Sequence, residues 1–152
     1  MATTHTASAH PSGRAHPVHG ILSAYPLVCF TGALVTDIAY ARTAQMQWAN
    51  FSIWLIAGGL AMGVLAAIVG IVDAVVHRHS RRTRRTERTG RWPHSLLTLA
   101  MLGLALVNAF VHSRDAWTSV VPTGLILSVI VSVLAVVTSW TGYSLQAQEE
   151  AR

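Results

Sequence analysis

The sequence contains no lysine, and only 11% of its 152 residues are charged. A soluble domain of this size carries about 25% charged residues, because its surface must be solvated. A disordered chain and an ordinary soluble enzyme therefore do not fit the composition. The single cysteine, Cys29, excludes an intrachain disulfide.

Catalytic and nucleotide-binding signatures are also missing. The sequence has no G-x-S-x-G, P-loop, G-x-G-x-x-G or C-x-x-C motif, so hydrolase, nucleotide and thiol chemistry lack their usual residues. Residues 77–93 are rich in arginine, but this segment has no aromatic residue before Trp92 and no nucleic-acid recognition motif. We predict no catalytic residues and no nucleic-acid partner.

Long apolar runs are what the sequence has in abundance. Hydrophobic residues make up 52% of the chain, and the mean hydropathy is +0.45. A helix crosses the hydrocarbon core of a bilayer with about 20 apolar residues. The runs at about 20–40, 51–76, 94–112 and 120–142 satisfy this length. Because backbone groups must pair internally in lipid, we predict an all-α, integral membrane four-helix up-down bundle over residues 20–143.

The distribution of arginine predicts the orientation of this bundle. Nine arginines lie before the first span, in the loop at 77–93 or at the C-terminus, and the opposite side has only Arg42 and Arg114. The positive-inside rule then makes both termini cytoplasmic in a multi-pass protein of the bacterial inner membrane. Residues 1–19 are expected to be a disordered, histidine-containing tail, and residues 144–152 a C-terminal tail. The expected partners are membrane lipid and either a second copy or another membrane protein.

Small and polar residues recur at steps of three and four along each span, which places them on one helix face. These seams are His19, Ser23, Pro26, Phe30, Ala33 and Asp37 in the first span, Ser52, Ile56, Gly59, Gly63, Ala66, Gly70, Asp73 and His77 in the second, His94, Thr98, Met101, Ala105, Asn108 and His112 in the third, and Ser128, Ser132, Ala135, Ser139 and Gly142 in the fourth. Gly59-x-x-x-Gly63 permits close helix approach. We predict that all four seams face inward.

Ionisable residues in the spans fall into two layers of the predicted bundle. Such residues cost at least about 2.5–3.5 kcal/mol at mid-bilayer, so they usually face the interior and find partners. His19, Asp73, His77 and His94 form the layer near the arginine-rich loop, and Asp37, Asn108 and His112 form the other.

The layer near the arginine-rich loop has the composition of a ligand set. Asp73 and His77 are spaced i,i+4, so the carboxylate can orient the imidazole. With His19 or His94 from neighbouring helices, the layer can hold a divalent metal, or haem b through two axial imidazoles. The alternative is that these residues lie at helix ends near water and bind nothing.

The other layer also has two interpretations. Asp37 and His112 can form a proton-accepting pair inside the bundle, since imidazole titrates near neutral pH. Alternatively, Asp37 is an interfacial carboxylate that Arg42 or Arg114 neutralises.

The order of short motifs from about His16 to Leu145 resembles the DUF2231 family of small predicted bacterial membrane proteins. The matching features are the H-P-x-H segment at residues 16–19 followed by Pro26, Asp37 late in the first span, G-I-V-D at residues 70–73, His94 with Asn108 in the third span, and S-W-T-G at residues 139–142. Ala24 stands where the family has a histidine, so a ligand at that position is absent. The resemblance implies four transmembrane helices and no established activity; an association of some relatives with redox domains implies a haem or electron-transfer role.

Three functional hypotheses follow. The first is a non-enzymatic structural or partner-binding membrane protein. The second is a haem or metal protein for electron transfer that uses His19, His77 and His94, with Asp73 beside them. The third is proton or ion conduction through Asp37 and His112.

Overall fold

The computed structural model describes residues 17–76, 88–114 and 120–150, without the side chains of residues 17–20, 73, 88–91, 146 and 148–150. Within these ranges the chain forms four helices, α1 (Pro17–Thr43), α2 (Met46–Val76), α3 (Arg88–His112) and α4 (Thr123–Glu150). The described ranges contain no strand, and the predicted all-α class is confirmed.

The helices extend beyond the predicted spans. The expected connection at 41–50 shortens to Ala44 and Gln45, because α2 already begins at Met46. Ala44 adopts a left-handed backbone conformation with a φ of 53°, and its N–H donates to the carbonyl of Tyr40 at 2.8 Å. This αL residue ends α1 in the manner usual for glycine.

Helices also begin or end inside three segments that were predicted as tails or loop, namely 1–19, 77–93 and 144–152. Helix α1 begins at Pro17, inside the predicted tail at 1–19, and the rest of that tail lies outside the described residues. Helix α3 begins at Arg88, and residues 77–87 of the predicted arginine-rich loop are likewise outside the description. Helix α4 continues to Glu150, through most of the predicted C-terminal tail.

The helices form a closed ring in which each one packs against two neighbours. Helix α1 contacts α2 and α4, α3 contacts α4 and α2, and α1 therefore faces α3 across the diagonal. We call the end where α1 joins α2 the turn end, and the end where α2 leads toward α3 the loop end. All four helices are long and apolar enough to cross a membrane, which confirms a four-helix, multi-pass membrane protein.

An apolar layer fills the middle of the bundle. Phe30, Met101, Ala105, Val131 and Ala135 form its buried centre, with leucines packed around them. The outward faces are also apolar and are exposed in the isolated chain. Examples are Val35, Trp54, Leu99 and Ile126. A soluble protein rarely exposes apolar surface this extensively, whereas lipid tails cover it in a bilayer.

Two glycines on α2 allow its neighbours to approach closely. A Cβ at Gly59 would lie 2.7 Å from Cε1 of Phe30 and 2.9 Å from Cβ of Cys29, both on α1. A Cβ at Gly63 would lie 2.6 Å from Cδ2 of Leu102 on α3. The G-x-x-x-G segment therefore has the close-packing role predicted for it.

The rest of the seams follow the predicted inward direction closely. On α2 the seam is buried from Ser52 to Ala66 and half-buried at Gly70, and on α1 it is buried from Pro26 to Asp37. Ser23 departs from the pattern, since it is exposed one turn before Pro26. Helical periodicity thus predicted which face of each helix is buried.

Candidate functional site

Four polar side chains form one buried cluster toward the turn end. We call it the Asp37 network: Asp37 on α1, Asn108 and His112 on α3, and Ser128 on α4. The whole-residue exposures are 0%, 1%, 8% and 2%, in that order. Asn108 and His112 share a face of α3 because they are one turn apart, and the other two lie on the inward seams of their helices.

The Asp37 carboxylate accepts or shares hydrogen bonds on both oxygens. Oδ1 lies 3.0 Å from Nε2 of His112, and Oδ2 accepts from the hydroxyl of Ser128 at 2.5 Å. Nδ2 of Asn108 donates to Oγ of Ser128 at 2.9 Å. Nδ1 of His112 lies 3.0 Å from the backbone carbonyl of Asn108. The cluster is therefore a continuous chain of hydrogen bonds from α1 to α3 through α4.

The backbone carbonyl of Asn108 fixes one proton of the imidazole. A carbonyl only accepts, so Nδ1 of His112 carries a hydrogen. The contact between Nε2 and Oδ1 then requires one proton between the two atoms. Placed on Nε2, that proton makes an ion pair; placed on Asp37, it leaves both groups neutral. The pair has no net charge in either form, which lowers the cost of burying it.

One acceptor of the network has no hydrogen-bond partner among the described residues. Oδ1 of Asn108 is buried and makes no hydrogen bond within the described part of the chain. Leaving a buried acceptor unpaired costs about 1–3 kcal/mol. Among the described residues, the Asn108 amide is therefore hydrogen-bonded through Nδ2 alone. Its oxygen has unused capacity to accept a hydrogen bond.

Further hydrogen bonds join neighbouring helices beside the network. The hydroxyl groups of Thr36 on α1 and Ser52 on α2 lie 2.7 Å apart. Ser132, one turn after Ser128 on α4, donates to the backbone carbonyl of Phe30 at 2.9 Å. These contacts connect α1 to both of its neighbours, so the network lies in a well-connected region of the bundle.

A cleft of about 370 Å³ opens at the turn end and reaches the network. Its lining comes from the beginning of α2 and the end of α3, and includes Gln47, Asn50, His112 and Arg114. The His112 side chain itself is only 1% exposed. Polar groups therefore line an approach from the bundle end to a histidine that is otherwise enclosed.

The structure brings together the three residues predicted for this layer, Asp37, Asn108 and His112. Arg42 and Arg114, the predicted alternative partners of the carboxylate, are both exposed. The ion pair shown for Asp37 among the described residues is with His112. Sequence reasoning placed Ser128 in the α4 seam without assigning it to this layer. Its level along α4, opposite Asp37, was the available signal.

The loop end contains one histidine with a described side chain, His94. Its Nδ1 lies 3.1 Å from Oγ1 of Thr141, and that hydroxyl donates to the carbonyl of Thr138 at 3.0 Å. Thr141 therefore accepts from Nδ1–H, which leaves the lone pair of a neutral His94 ring on Nε2. A pocket of about 250 Å³ lies beside the ring, between α3 and α4.

The predicted haem or metal set is not assembled by the described side chains. His19 and Asp73 lie on α1 and α2, but their side chains are outside the description, as is His77. Within the described residues, no group of three potential metal ligands occurs. A ligand role for His19, Asp73, His77 and His94 remains a prediction.

Comparison with known proteins identifies a family. The model of the DUF2231 family, described as a predicted membrane protein, matches residues 15–151. No curated protein and no solved structure matches the chain. The matched segment contains all four helices and every member of the Asp37 network, and the match agrees with the resemblance in the sequence motifs.

Proposed function

The chain belongs to the DUF2231 family of predicted membrane proteins, and from this premise we propose that it is a proton-binding protein with the Asp37–His112 pair as its site. The observation that carries the proposal is the burial of a hydrogen-bonded carboxylate and imidazole inside a bundle that spans the membrane. Ionisable side chains within spanning helices are expensive, and they commonly mark functional sites.

Proton binding suits this pair better than a purely electrostatic role. Imidazole changes its charge near neutral pH, and a carboxylate in contact with it titrates as part of a coupled pair. The cleft beside His112 provides an approach for water from the turn end. We therefore propose that the pair, neutral at rest, takes up one proton from that side.

The same geometry supports proton binding from one side rather than conduction through the bundle. The apolar layer around Phe30, Met101 and Val131 lies between the Asp37 network and His94. Ser132, a polar residue next to this layer, donates its hydroxyl hydrogen to the carbonyl of Phe30. A proton wire needs consecutive polar groups, and the described core offers an apolar interruption instead.

We further propose that the protein lies in the bacterial inner membrane with the turn end toward the periplasm. The arginine bias toward the termini and the second connection supports this orientation. Reporter fusions after Gln45 and Thr86 test it: the first should report the periplasm and the second the cytoplasm. The reverse pattern would place the cleft on the cytoplasmic side.

A structural role is the competing function, because the same hydrogen bonds hold α1, α3 and α4 together. Asp37→Asn separates the two roles. The amide that this substitution introduces can accept from Ser128 and donate to a neutral His112 ring, so the helices remain linked while the carboxylate is lost. A structural or partner-binding role therefore predicts little change in the variant, and proton binding predicts an altered titration.

The experiment is an NMR titration of the protein in lipid bilayers, with ¹³C-labelled aspartate and ¹⁵N-labelled histidine. Proton binding predicts that Asp37 and His112 signals change with pH while the protein stays folded, and that Asp37→Asn moves the His112 midpoint. His94, at the loop end, is the internal control, and its signals should be the same in both proteins at every pH. Unchanging Asp37 and His112 signals across the folded range would refute proton binding.

A further inference from the structure

We propose that Ser128 and Asn108 form a reversible relay that allows the Asp37–His112 pair to accept its additional proton. In this relay the Ser128 hydroxyl reverses its direction and the Asn108 amide rotates by half a turn. The inference rests on the proposed function, since it explains how that site accommodates protonation.

The starting arrangement has a single direction of donation. Nδ2 of Asn108 donates to Ser128, and Ser128 donates to Oδ2 of Asp37. Nδ1–H of His112 donates to the backbone carbonyl of Asn108. The pair therefore shares one further proton, which lies between Nε2 and Oδ1. The side-chain donors of Asn108 and Ser128 therefore both point toward the carboxylate.

One further proton from water gives a protonated imidazole beside a protonated carboxyl group, with a net charge of +1. Nε2–H of His112 then donates to Oδ1, so the carboxyl proton must lie on Oδ2. There it meets the hydrogen of Ser128, and two donors face each other. The conflict ends when Ser128 accepts from Asp37 and donates in the other direction. Starting from the ion-pair form, one O–H bond of a hydronium ion breaks and one O–H bond forms at Oδ2 of Asp37, while Ser128 and Asn108 only rotate about single bonds.

The side-chain amide of Asn108 can accept a hydrogen bond from the Ser128 hydroxyl after that hydroxyl reverses. A primary amide presents an acceptor and a donor at nearly equivalent positions, so a half turn places Oδ1 where Nδ2 was. This oxygen belongs to a residue that is 1% exposed, and it has no partner among the described residues in the starting arrangement. The rotation therefore pairs Oδ1 with the reversed hydroxyl and releases Nδ2 from Ser128, so the number of hydrogen bonds between Asn108, Ser128 and Asp37 is unchanged.

Among the described residues, few charged or titratable groups lie around the pair. On α1, Tyr40 is buried one turn after Asp37, and Arg42 is exposed; beyond the end of α3, Arg114 lines the cleft. From α4 and α2, the described side chains that face this region contribute the hydroxyls of Ser128 and Ser52. The described surroundings therefore provide hydroxyl and amide groups to accommodate the new proton, and no second carboxylate.

The test follows the side-chain amide of Asn108 by NMR in lipid bilayers as the pH is lowered, in the wild-type protein first. The relay predicts that the Asn108 side-chain signals shift with the same midpoint as Asp37. It also predicts that Ser128→Ala abolishes the Asn108 change. Ser132→Ala is the matched control, because it removes another buried serine from α4 without touching the network.

The outcomes distinguish this inference from the proposed function. If Asp37 and His112 titrate while the Asn108 amide stays unchanged, the relay is refuted and proton binding stands. A Ser128→Ala protein that behaves like wild type also refutes the relay. If neither Asp37 nor His112 titrates in the wild-type protein, both proposals fail. The wild-type measurement decides the question even if Ser128→Ala does not fold.

Discussion

Two adjacent glycines on α2 provide a sharp test of the helix packing. A methyl group at Gly59 would meet Phe30 and Cys29 at 2.7–2.9 Å, whereas a methyl group at Gly58 has no neighbour within 4 Å. Both positions are interior residues of the same helix. The variants Gly58→Ala and Gly59→Ala therefore differ in packing and share the change in backbone propensity.

The expected magnitudes follow from this difference. Replacing glycine by alanine inside a helix gains about 1 kcal/mol of propensity, so Gly58→Ala should be neutral or stabilising. At Gly59 the same gain is opposed by overpacking, which costs about 1–3 kcal/mol when the surroundings must shift. The Cβ of Cys29 follows its backbone rigidly, so α1 itself must move. We expect Gly59→Ala to be less stable than Gly58→Ala by about 1–3 kcal/mol.

The assay is equilibrium unfolding by SDS titration in mixed micelles, followed by far-UV circular dichroism. The two variants are compared with each other, so an error in the propensity value cancels. Stabilities that agree within about 0.5 kcal/mol would refute the close contact of α1 and α2 at Gly59.

Three further predictions concern the packing, the Asp37 network and the loop end. Gly63→Ala should be close to the wild-type protein in stability, because the nearest atom is the end of a Leu102 side chain, which can turn away, and the propensity gain of about 1 kcal/mol offsets this shift; a cost above that of Gly59→Ala would contradict this. Asp37→Leu should cost about 3–5 kcal/mol by leaving His112 buried without its partner, and the double variant with His112→Leu should cost less than the sum of the two single variants; additive costs would disprove the coupling. The haem hypothesis predicts a Soret band in the purified protein that is lost in His94→Ala, because b-type ligation needs two axial imidazoles; a spectrum without a Soret band would refute it.

Much of the fold was predictable because a few physical requirements determine where membrane helices lie and which faces they bury. Apolar length located the four spans, and small residues at steps of three and four identified the buried faces, including Gly59 and Gly63. The length of the first connection was not predictable. Ala44 takes the left-handed conformation that sequence rules assign to glycine or asparagine, so no turn signal marks this position.

The candidate site was predictable in its members and less so in its bonding. Depth and topology placed Asp37, Asn108 and His112 in one layer. The sequence did not determine the partner of the Asp37 carboxylate. Arg42 and His112 lie at the same end of the bundle, and only the rotation of α1 about its own axis selects between them. Ser128 was missed as a member because serine is also a common packing residue in membrane helices.

Both proposals depend on direct contact between Asp37 and His112 inside the bundle, with one proton shared between the two side chains. The most direct measurement is a dipolar distance between ¹³Cγ of Asp37 and ¹⁵Nε2 of His112, by solid-state NMR in bilayers. We expect a strong coupling, because Oδ1 and Nε2 are 3.0 Å apart. A weak coupling to His112 together with close contact between Asp37 and an arginine guanidinium would contradict it.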